Sequence, residues 1–102
     1  MSRLKPEVRR EQILQHAVEA AQAHGYRHIT REDIARRAGV TVNLISHYFG
    51  TMPKLKRAVM REAIRRGDVT VLAQGLAAKD PHAQKAPLEL KRKAVDQLLC
   101  EV

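Results

Sequence analysis

Glycines at positions 25, 39, 50 and 67 cut the chain up to that point into four segments, and in each the apolar residues recur at the three- and four-residue spacing of an α-helix. This punctuation requires a set of short helices joined by tight turns, with Gly39 supplying the positive φ of the sharpest one. Three aromatic residues, Tyr26, Tyr48 and Phe49, and no tryptophan leave Ala, Leu, Ile and Val to build the core. One small domain accommodates 102 residues. A domain of that size has little room for a deep substrate cavity beside its scaffold, so an enzyme is not expected.

The helices can be placed from their ends. Pro6 suits the first turn of a helix over roughly 6–24, striped by Ile13, Leu14, Ala17, Val18, Ala20 and Ala21. Thr30, with Asp33 three residues on, approximates a capping box for a short second helix carrying Ile34, Ala35 and Ala38. Thr41 is the N-cap candidate of a third helix, Val42 to Tyr48, and Thr51 of a fourth, in which Pro53 fits the first turn and Leu55, Ala58, Val59 and Ala63 run towards Gly67. Beyond Gly67, Val69, Thr70 and Val71 favour a strand by local propensity, whereas Val69, Leu72 and Leu76 fit a helical stripe. A lone strand would lack a partner, so a helix is expected there. Asp80-Pro81 and Ala86-Pro87 mark breaks and new helix starts, and Leu88, Leu90, Ala94, Val95, Leu98 and Leu99 give a last amphipathic helix. The expected fold class is all-α.

The formal net charge is +8, and its distribution is uneven. Residues 1–50 carry eight Lys/Arg against five Asp/Glu, residues 51–66 six against one, and residues 67–102 five of each. All of the excess therefore belongs to the first 66 residues, and the block Lys54, Lys56, Arg57, Arg61, Arg65 and Arg66 faces only Glu62. A surface charged for solubility mixes both signs, so this block points to an anionic partner, most commonly nucleic acid. No apolar run is long enough to span a membrane and the first residues lack a signal peptide's apolar stretch, so the cytoplasm is the expected compartment. The single cysteine, Cys100, has no internal disulfide partner, in keeping with a reducing environment.

From Ile29 to Thr41 the sequence reads Ile-Thr-Arg-Glu-Asp-Ile-Ala-Arg-Arg-Ala-Gly-Val-Thr, the pattern of a helix-turn-helix. Ala35 is small enough for close helix crossing, Gly39 permits the turn, and Val40 plugs the angle between the helices. In the third helix, Thr41, Val42, Asn43, Ser46 and His47 remain outward once Leu44, Ile45 and Phe49 are given to the core. Asn43 can bond an adenine edge in two places, Thr41 and Ser46 can bond several bases, and Val42 can touch a thymine methyl. None of these side chains is charged, so affinity must come from Lys and Arg elsewhere.

Together with Ile13-Leu14, Ala17, Gly25, His47-Tyr48-Phe49 and Leu55, this segment resembles the amino-terminal DNA-binding domain of the TetR family of bacterial repressors, over Arg9 to about Arg65. The resemblance implies a homeodomain-like three-helix core plus helix four. It also implies that helix three lies in the major groove of double-stranded DNA, reading bases with Thr41, Val42, Asn43 and Ser46. The phosphate contacts it implies are Thr30, Arg31, His47, Tyr48, Thr51, Lys54, Lys56, Arg9 and Arg10. Tyr48 reads equally well as a core aromatic with its hydroxyl at the surface. Ser46 stands where the family usually has tyrosine, Asn43 where it has a small residue, and Met52 where it has a phosphate-binding lysine; Lys54 or Lys56 can replace that last charge.

The family's large effector-binding domain has no counterpart in the 36 residues after Arg66. A tail this short cannot enclose a ligand pocket of a few hundred Å³, so no small-molecule effector is expected. Its neutral balance and its apolar positions, Leu72, Leu76, Val95, Leu98 and Leu99, suggest a dimerisation element. The expected division is 1–66 for DNA binding and 67–102 for pairing, in a homodimeric repressor of a palindromic site. The rival readings are a small all-helical protein-interaction adaptor and the DNA-binding fragment of a longer effector-responsive regulator. Neither a cofactor nor a metal is expected. His24 and His28 are separated by Gly25 and lack a Cys or carboxylate at ligand spacing, and no nucleophile elbow or phosphate loop is present.

Overall fold

A computed structural model describes residues 5–100, and every regular element among them is helical. The chain runs α1 (Pro6–His24), a 3-10 turn (Tyr26–His28), α2 (Arg31–Ala38), α3 (Val42–Phe49), α4 (Met52–Arg66), α5 (Val69–Ala77), α6 (Pro81–Gln84) and α7 (Leu88–Cys100). The strand propensity of residues 69–71 is overridden by context, because Asp68 starts a helix there by accepting the Val71 N–H at 3.1 Å.

The capping residues set the turns. Thr30 Oγ1 accepts from the Asp33 N–H at 3.1 Å and Thr41 Oγ1 from the Leu44 N–H at 3.2 Å. Gly39 sits at φ 70°, which lets the Val40 N–H reach back to the Ala35 carbonyl at 3.0 Å and closes α2 immediately before α3 begins. Asp80 caps α6 through the N–H groups of His82 and Ala83. Thr51 departs from expectation: it occupies the N-cap of α4 with extended backbone, yet its side chain accepts no capping bond.

α1, α2, α3 and α4 enclose a core of small and branched side chains, including Ile13, Ala17, Val18, Ile34, Ile45, Phe49, Leu55 and Val59, closed at one side by Tyr26 and Ile29. α5 packs against α1, α4, α6, α7 and the 3-10 turn, and it adds Val71, Leu72 and Ala73 to the same cluster. Gly75 allows that approach, since a Cβ there would stand 2.9 Å from the Cβ of Ala83 and closer still to the Met60 methyl. Tyr26 fastens the segment after Gly67 to the helix-turn-helix. Its hydroxyl donates to Asp80 Oδ2 at 2.7 Å and lies 3.1 Å from the Lys56 carbonyl, while its N–H donates to Gln74 Oε1 at 2.8 Å. Burial first, then the bond to Asp80 and its charge, raise the phenol above its ordinary pKa. α7 packs chiefly on α5, and the described chain is elongated, 47 × 21 × 21 Å.

Candidate nucleic-acid interface

α3 is short and two-sided. Ile45 and Phe49 are buried, and Leu44 is half-buried against the core. Thr41, Asn43, Ser46 and His47 are exposed. These four form one uncharged, hydrogen-bonding face at the end of the helix-turn-helix. Val42 departs from the sequence expectation, because it is half-buried and packs against the core instead of standing fully outward. At the carboxyl end of α3, His47 meets the half-buried Tyr48 edge to face, with centroids 5.3 Å apart.

The expected phosphate residues are found in different states. Thr30, Thr51, Lys54 and Arg10 are exposed, and Arg10 lies over the Phe49 ring, 4.8 Å from its centroid. Arg9 is half-buried. Arg31 turns inward, with Nη2 donating to the Gly50 carbonyl at 3.2 Å and Nε buried without a partner among the described residues, so it braces the α3–α4 turn. Lys54 and Lys56, two residues apart, fall on different faces of α4. Lys54 lies beside Gly50 at the end of α3, whereas the Lys56 ammonium donates to the Arg27 carbonyl at 3.5 Å, on the side of the 3-10 turn. Of the two candidates to replace the lysine that Met52 displaces, Lys54 stands at the α3 end.

Electrostatics sort the remaining cations. Asp33 bonds both Arg36 and Arg37, the latter at 2.9 Å, and lies 3.6 Å from His24 Nε2. The Arg37 bond foremost, then Arg36, holds its carboxyl below the ordinary value against the opposing effect of burial. On α4, Glu62 is only 6% exposed and accepts from Arg65 at 2.8 and 2.5 Å and from Arg66 at 2.5 Å. The Arg65 bonds, with Arg66 adding to them, bring the Glu62 carboxyl down to about 2 and raise Arg65. Two of the six α4 cations thus share one carboxylate within the helix, which offsets one of their two charges. The spacing of Glu62 to Arg65 and Arg66, three and four residues, was the signal for this in the sequence.

The expected pairing residues divide. Leu72 has no exposed surface and belongs to the chain's own core, because α5 is enclosed by α1, α4 and α7, so it is not available to a partner. Leu76 and Leu98 are half-buried against that core. Val95 and Leu99 are outward, 44% and 67% exposed, and Leu88, on the same face of α7, is 62% exposed. Among the described residues, no group of three or more His, Cys, Asp or Glu is placed to hold a metal ion, and no helix is long and apolar enough to cross a membrane.

Comparison with known proteins agrees with this arrangement. Residues 13–59, from the core of α1 to the middle of α4, match the family model described as bacterial regulatory proteins, tetR family. Among curated proteins, the chain is 36% identical over 78 residues to HTH-type transcriptional regulator BetI 1 of Chromohalobacter salexigens, covering 74% of this chain and 39% of that protein. It is 30% identical over 79 residues to the BetI regulator of Burkholderia cenocepacia, covering 76% and 41%, and 42% identical over 55 residues to that of Escherichia coli O139:H28, covering 54% and 28%. The chain spans about two fifths of the length of the first of these relatives. No solved structure matches it. With its helix-turn-helix in α2 and α3, the chain belongs to the tetR family of bacterial regulatory proteins.

Proposed function

We propose that the chain is a sequence-specific repressor that binds a palindromic operator as a homodimer, with α3 of each copy in a major groove. The observation that carries this reading is the uncharged exposed face of Thr41, Asn43, Ser46 and His47, beside Arg10 and Lys54, cations that meet no carboxylate among the described residues. Base edges are read by hydrogen bonds from such a face, with Val42 reaching a thymine methyl from its half-buried position, while phosphates are held by cations around it. Thr30, Thr51, Tyr48 and Arg9 complete the phosphate contacts, and Arg31 and Lys56 act mainly by fixing the frame.

On this reading residues 1–66 bind DNA and residues 67–102 pair two copies. One eight-residue reading helix spans only a few base pairs, and two must be held about 34 Å apart to meet successive major grooves. The outward face of α7, Leu88, Val95 and Leu99, supports that role. The protein then acts in the cytoplasm without cofactor, effector or enzymatic activity. A second reading, the DNA-binding part of a longer effector-responsive regulator, is supported by the two fifths of its relatives' length that the chain spans. Binding to random duplex over a range of salt tests the DNA reading, since each phosphate contact contributes about −0.9 to the slope of log K against log salt. Several contacts are expected; a slope near zero removes the proposal.

A further inference from the structure

Arg57 and Arg61 form a ridge on α4 between two clefts. The larger, about 660 Å³, lies between α1 and α4; Arg10 stands on one wall and Lys54, Arg57 and Arg61 on the other, over Leu14 and Ala58. The smaller, about 400 Å³, runs from the same two arginines to His82 and Lys85. Lys54, Arg57 and Arg61 are spaced by three and four residues, so they share one face of the helix, where like charges repel. Arg10, Lys54 and Arg61 have no carboxylate partner among the described residues, and Arg57 Nε donates to His82 Nε2 at 3.1 Å, an acceptor only while the imidazole is neutral. The two carboxylates lining the larger cleft offset only part of this charge, since they stand against five cations there. Glu62 is spent on Arg65 and Arg66, and Glu11 lies within the field of Arg65 at the same end.

We propose that this ridge is an oligophosphate-binding site distinct from the base-reading face of α3. From Lys54 to Arg61 the cations span about 10 Å along the helix, more than one phosphate covers, and the guanidinium forks suit neighbouring phosphate groups. The ligand is therefore a run of phosphates, drawn from a free polyphosphate or from a nucleic-acid backbone. The site does not depend on α3 reading bases.

Inorganic tripolyphosphate, titrated calorimetrically into the full chain, is the probe. Saturable binding with one equivalent is expected, weakening about tenfold for each of Arg57→Gln and Arg61→Gln. The same charge change on α7, Arg92→Gln with Lys93→Gln, and the Asn43→Ala change on the reading face are expected to leave it within twofold. Circular dichroism checks the fold, and Arg61→Gln, at a side chain with no carboxylate partner among the described residues, serves alone if Arg57→Gln unfolds. The duplex salt slope of the same variants then separates the sources: a loss of about 0.9 per arginine assigns the site to backbone phosphates, and an unchanged slope assigns it to a free polyphosphate. Absence of saturable binding, or equal weakening by the α7 variant, overturns the site.

Discussion

Glu62 shows how one side chain can set the charge that α4 presents. Its folded carboxyl titrates at about 2 instead of 4.5, so the unfolded chain binds the more protons between those values. The stability it contributes is complete above about pH 4.5 and is lost as the pH falls through about 2. Against Glu62→Gln, the wild-type advantage in urea unfolding is expected to be flat from neutral pH to 5, to decline below that and to vanish only as the pH falls through about 2, amounting to about 3 kcal/mol at most, since Arg65 is largely in solvent. Asn43 makes a different kind of contribution. Asn43→Ala is expected to cost about 1–3 kcal/mol at a single operator position, measured on a panel of single-base variants, and an equal loss on every variant would make it a positioning residue. Which residue types stood at the site was legible in the sequence. Their directions were only partly so: Arg31 turns in to the Gly50 carbonyl and Lys56 to the Arg27 carbonyl, contacts across 19 and 29 residues that local pattern does not encode.

At the scale of elements, α1 to α4 were legible because their ends carry chemistry that acts within a few residues, as at Thr30, Thr41 and Gly39. α5 was harder to read, because its β-branched start contradicts its helical state and its enclosure is decided by tertiary packing. Leu72 looked like interface from its spacing and is core for that reason. Gly75 lies buried within α5, where the Cβ of Ala83 leaves no room for a methyl group and only the Met60 end could move aside. Gly75→Ala therefore runs against the usual helix-stabilising direction of such a change. It is expected to destabilise by about 1–3 kcal/mol in thermal or chemical unfolding, and stabilisation would show that α5 is not held this close.

For the molecule as a whole, the segment after Gly67 has two sides, one built into the core through Leu72 and Ala83 and tied by Tyr26 to Asp80, the other exposing Leu88, Val95 and Leu99. Val95→Glu with Leu99→Glu is expected to give a folded monomer in sedimentation equilibrium that still binds duplex weakly but no longer prefers a palindrome to a half-site; a wild-type chain that is already monomeric at tens of micromolar would end the pairing proposal. The central claim, that α3 reads bases, is tested most directly by selecting bound sequences from a random duplex pool and measuring the affinity of the winner against random duplex at fixed salt. Binding tighter by about 10³ or more, with a recurring motif, is the expected result, and recovery of no motif with equal affinity for all duplexes would contradict it.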